Sequence, residues 1–85
     1  MATVTPSNTP NPNAMKFSLD TKLRAPMNFG SAEAAQGNPF AEAVFATDGV
    51  VQVFGVNDFV TVTRRPGVDW RPIVEAVTAA AAEHL

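Results

Sequence analysis

The stretch that most constrains this chain is Gly49 to Thr63, GVVQVFGVNDFVTVT, which reads as a β-hairpin. Valine, phenylalanine and threonine in both arms suit a pleated, half-buried surface, and Gly55-Val56-Asn57-Asp58 carries turn chemistry between them. With those four residues as the turn, Phe54 faces Phe59, Val53 faces Val60, Gln52 faces Thr61, Val51 faces Val62 and Val50 faces Thr63. Opposed residues share a face, so Val51, Val53, Val60 and Val62 line one side of the hairpin. The other side carries Gln52, Thr61 and Thr63, with Phe54 and Phe59 near the turn. A two-residue turn at Asn57-Asp58 leaves the face assignments unchanged, whereas an odd loop or a bulge scrambles them.

The segments around the hairpin supply what covers its valine side. Residues 1–13 hold Pro6, Pro10 and Pro12 among serine, threonine and asparagine, a composition for an extended arm rather than a helix. Ala14 to Leu19 alternates, with Met15, Phe17 and Leu19 on one face and Lys16 and Ser18 on the other, as a half-buried strand does. A short strand is expected around Ala25 to Phe29 and one helical turn, capped by Ser31, after it. Asn38-Pro39 starts a helix running to about Ala46, with Phe40, Val44 and Phe45 to one side and Gly49 beyond its end. Asp69 caps a second helix from Trp70 to about Glu83, in which Pro72 is tolerated in the first turn and Ile73, Val74, Val77 and Ala80 or Ala81 form the buried stripe.

These elements predict one α+β domain over residues 1–85: an antiparallel sheet of three to four strands, in the order β-β-α-β-β-α, with two helices on its valine face. The expected core is Val51, Val53, Val60 and Val62 with Phe17, Phe40, Phe45, Ile73 and Val77. The opposite face, with Lys16, Ser18, Gln52, Thr61 and Thr63, is left for solvent or for a partner.

Composition narrows the chemistry. Hydrophobic residues make up 46% and charged residues 16%, which describes a folded domain rather than a disordered tail. The sequence has no cysteine, which excludes thiolate-held zinc or iron–sulfur sites, a redox CxxC and a cysteine nucleophile. No apolar run approaches the length of a membrane span, and the first residues lack the basic start of a signal peptide, so the expectation is a cytoplasmic protein without a membrane partner. A formal net charge of −2 argues against nucleic acid as a partner, with Arg64, Arg65 and Arg71 expected as a solvated positive corner.

No catalytic constellation is visible. His84 is the only histidine and sits near the end of a helix; Asp48 and Asp58 lie at opposite ends of one hairpin arm; Gly49, Gly55 and Gly67 are isolated turn glycines without a phosphate-loop context. Neither catalytic nor cofactor nor metal residues are assigned, and the chain reads as a non-enzyme without a cofactor.

Three stretches together carry a resemblance: TPNPNAMKF at Thr9 to Phe17, NPFAEAVFATDGVVQVFGVNDFVTVTR at Asn38 to Arg64, and VDWRPIVEAV at Val68 to Val77. In these the chain resembles the N-terminal domain of Nfu/NifU-type iron–sulfur cluster scaffold proteins. The match is weakest between Asp20 and Gly37. In that family the cluster is carried by a C-terminal domain through a CxxC motif, so the resemblance implies an accessory domain without cluster ligands of its own, partnered by another protein of iron–sulfur assembly. The alternative is a general protein-binding or oligomerisation module unrelated to iron–sulfur assembly. Either way the candidate contact residues are Phe54 and Phe59 with Gln52 and Thr61, because two adjacent aromatics on a solvent-facing sheet need a cover. The proline-rich arm folding across them is the internal cover, and a partner surface is the functional one.

Overall fold

The computed structural model describes residues 2–85 of the chain. In chain order its elements are β1 (Val4–Asn8), β2 (Ala14–Leu19), β3 (Met27–Phe29), α1 (Pro39–Phe45), β4 (Val50–Val56), β5 (Phe59–Arg64) and α2 (Trp70–His84). The strands form one antiparallel sheet in the order β1-β2-β5-β4-β3. The class is the expected α+β, but the sheet has five strands rather than three to four. The extra strand comes from the proline-rich arm. Proline cannot donate to a ladder, and a sheet edge is where that loss is tolerated. Pro6 stands there, opposite Phe17 on β2.

The hairpin turn is the two-residue form. Val56 pairs with Phe59, Gly55 with Val60, Phe54 with Thr61, Val53 with Val62 and Gln52 with Thr63. Asn57 takes the positive φ of 55° that a tight hairpin needs at its first central position, a conformation asparagine tolerates better than most residues. Gly55 thus belongs to the strand and not to the turn. A Cβ there would come within 2.9 Å of both Leu23 and Met27, so the glycine lets the segment before β3 close over the strand.

From Gln52 to the turn the pairings expected across the hairpin are shifted by two residues, yet the face assignments of Val53, Val60 and Val62 survive, since a shift of two keeps each side chain on its own face. All three are fully buried. Val51 is the exception: an irregularity between Val50 and Gln52 inserts one residue into β4, and Val51 is 38% exposed while Val50 packs against the core.

Both helices pack on the face of Val53, Val60 and Val62. The Asn38 side-chain oxygen accepts from the Ala41 amide at 3.1 Å, and Pro39 fills the first helical position of α1. Gly49 then carries the chain into β4 with φ 96°, where a Cβ would collide with Val68. The Asp69 carboxylate accepts from the Arg71 amide to start α2. Phe40 and Val44 from α1 meet Ile73, Val77, Ala80 and Ala81 from α2 in one cluster with Phe17 and the valines. Phe45, expected in the centre, is only half-buried at the margin. Met27 and Leu19, which were not in the expected core, are buried. Ser31 caps a single helical turn, as expected: its hydroxyl accepts from the Ala34 amide at 3.1 Å and its carbonyl from the Ala35 amide at 3.2 Å.

Arg64 ties three remote segments together. Its guanidinium donates to the carbonyls of Val68 and Pro12 and lies 4.9 Å from the centre of the Trp70 ring. The Thr9–Asn13 turn it reaches is closed by its own side chains: the Thr9 hydroxyl donates to the carbonyls of Asn11 and Ala14, and the Asn13 amide donates to the Asn11 side chain. The other two arginines of the expected positive corner are solvated, the Arg65 and Arg71 side chains being 56% and 90% exposed. Arg65 pairs with Asp48 at 3.1 Å and Arg71 with Asp69 at 3.6 Å, so each of the three arginines has a partner within the chain.

Val62→Ala or Ile73→Ala is expected to cost about 1–4 kcal/mol in urea unfolding, a large share of the stability of so small a domain, whereas Val51→Ala should change it by less than about 0.5 kcal/mol. A cost for Val51→Ala equal to that for Val62→Ala would contradict the bulge. Arg64→Lys keeps the charge but loses the fork and the stacking, and should lower stability by about 1–3 kcal/mol in the same measurement.

Candidate interaction face

The face of the sheet away from the helices is ordered by strand register. Ser7, Lys16, Thr61, Phe54 and Asn28 form one row across all five strands. Thr5, Ser18, Phe59 and Val56 form the next row toward the hairpin turn, and Ala14, Thr63 and Gln52 the row on the other side. All of these side chains are exposed or half-buried, because neither helix crosses this side.

The four residues expected as contacts are brought together here. Phe54 and Phe59 are diagonal neighbours rather than directly opposed, with ring centroids 6.4 Å apart and planes at 52°. That tilted, offset arrangement is favourable for two aromatic rings. Thr61 sits directly opposite Phe54, and Gln52 donates from its side-chain amide to the Asn28 side chain at 3.2 Å. Phe54 is 36% exposed. The proline-rich arm does not lie across the rings: it is hydrogen-bonded into the sheet as β1, and β2 separates it from Phe59.

One feature of this face was not legible in the hairpin alone. The Lys16 ammonium lies 4.6 Å from the centre of the Phe59 ring, a cation–π contact that covers one face of that ring. Lys16 belongs to β2 and Phe59 to β5, and nothing in the sequence states the register between those two strands.

A cleft of about 610 Å³ lies elsewhere, and its lining includes Leu23, Met27, Asn38, Phe40 and His84. The Asn38 oxygen is already used as the α1 cap, and the His84 Nε2 lies 3.9 Å from the Glu83 carboxylate. Among the described residues no group of three or more histidine, aspartate or glutamate side chains is placed to hold a metal ion. Iron–sulfur clusters take thiolate ligands first, and the sequence has none to offer. The residues present do not fit a cluster.

Comparisons with known proteins agree with one another. The family model described as "Scaffold protein Nfu/NifU N terminal" matches residues 4–85. The mitochondrial NifU-like protein 5 of Arabidopsis thaliana is 45% identical over 67 residues, covering 73% of this chain and 23% of that protein. The mitochondrial NFU1 iron-sulfur cluster scaffold homolog of Drosophila ananassae is 35% identical over 74 residues, covering 84% of this chain and 26% of that protein. The chain thus spans about a quarter of the length of these relatives. A crystal structure of a Staphylococcus aureus protein superposes with a TM-score of 0.76 at 25% identity, covering 92% of this chain and 96% of that one. With the family match running through both helices and all five strands, the chain belongs to the Nfu/NifU N-terminal domain family of scaffold proteins.

Proposed function

We propose that this domain is a non-enzymatic accessory module of iron–sulfur cluster biogenesis, which docks another protein of that process on its open sheet face and contributes no cluster ligand itself. The observation that carries the reading is Phe54, a large apolar side chain left 36% exposed beside Phe59, on a face that neither the helices nor the N-terminal strand covers. Apolar surface rimmed by polar groups is a common form of protein contact, and Gln52, Asn28, Thr61 and Thr63 provide the rim. The absence of cysteine supports the lack of ligands. A cytoplasmic location is part of the proposal. No helix among the described residues is long and apolar enough to cross a membrane, while both curated relatives described above are named as mitochondrial proteins.

Affinity purification with the wild-type chain should recover identified iron–sulfur assembly proteins, and Phe54→Ser combined with Phe59→Ser should lose them while thermal stability stays nearly level. Recovery of the same assembly proteins by both forms would remove the face from the reading. Recovery only of proteins unrelated to iron–sulfur assembly would favour a general binding module. Anaerobic reconstitution of the chain alone with iron and sulfide should leave it colourless after desalting; a stoichiometric visible chromophore would contradict the claim that it contributes no ligand.

A further inference from the structure

The open face has a charge character different from that of the chain as a whole. The protein has eight aspartate and glutamate residues and a formal net charge of −2, yet none of the five strands contains an acidic residue. Across the three rows of the open face the one charged side chain is Lys16. Arg64 alternates to the opposite side, where it stacks on Trp70. Among the described residues the ion pairs use Arg65, Arg71 and His84, and no carboxylate pairs with Lys16. Its ammonium is instead held over the Phe59 ring, beside the exposed aromatic pair.

We propose that the occupant of this face is an acidic segment of a partner protein, which sets an apolar side chain against Phe54 and Phe59 and a carboxylate against the Lys16 ammonium. This rests on the docking reading of the same face and adds the partner's chemistry to it. Any segment that covers the aromatic pair also takes water from Lys16. An uncharged segment leaves that ammonium desolvated without a counter-charge, and a basic one adds repulsion; an acidic one compensates it. The strands themselves carry no carboxylate; Asp20 and Asp58 stand beyond their ends, at the turn side of the face. Single-stranded nucleic acid would also bring negative charge and could stack on the rings, but tracking a phosphate backbone takes a line of cations, and the face has one.

The test uses the isotope-labelled chain and three synthetic peptides that share a Leu-Phe centre and differ only in their flanks, which are glutamate, glutamine or lysine. The glutamate peptide should shift the amide resonances of Lys16, Phe54, Phe59 and Thr61 saturably. At low salt it should bind roughly fivefold tighter than the glutamine peptide, with the preference shrinking as salt is added. Lys16→Gln, a surface change whose fold is checked by the unchanged spectrum of the helices, should erase that preference. Equal binding of all three peptides at the face would overturn the acidic chemistry and leave the docking face standing. Shifts confined to other surfaces, or absent for all three, would count against both. Stronger shifts of the same residues by an oligothymidylate would overturn the proposal in favour of nucleic acid.

Discussion

The two-residue turn at Asn57-Asp58 is the constraint on which the rest depends. It sets the register of β4 against β5, and β5 lies at the centre of the sheet with β2 on its other side. The turn also acts beyond its own strands: the carbonyls of Asn57 and Asp58 accept from the amides of Leu23 and Leu19, tying the end of β2 and the loop after it to the hairpin. A slip of one residue between β4 and β5 would oppose Val53 to a threonine, leaving it on the other face from Val60 and Val62 and breaking up the valine surface under the helices. Core and open face are therefore two consequences of one local geometry.

That dependence explains what could be read from the chain and what could not. Alternation has a period of two, so mistaking the turn length by two residues altered every partner but no face. Phe54, Phe59, Gln52 and Thr61 were placed on one surface from sequence for that reason. Val51 escaped because a bulge is a property of pairing, and VVQV looks the same with or without it. The strand at Val4–Asn8 was hidden by Pro6, whose cost depends on whether the strand is central or at an edge. The helix caps at Asn38 and Asp69 were legible, since a cap is a contact between near neighbours.

Contacts between remote segments were the least legible. Lys16 over Phe59 and Arg64 on the carbonyl of Pro12 each join residues more than forty positions apart, and no local pattern announces them. The second of these gives physical content to the TPNPN stretch that carries much of the family resemblance. The Thr9 and Asn11 side chains close their own turn, and Arg64 fastens that turn to the start of α2. Its role in this fold is to anchor the N-terminal hairpin, which leaves the exposed aromatics as the better place for contact with another molecule.

The central claim is that the aromatic pair faces solvent rather than the chain's own arm. Paramagnetic broadening of side-chain proton signals by a soluble nitroxide reads this directly. Phe54 ring protons should broaden about as much as the methyl groups of exposed Val51, while those of Val53 and Phe17 stay sharp. Phe54 protected to the same degree as Phe17 would contradict the open face and, with it, the docking surface.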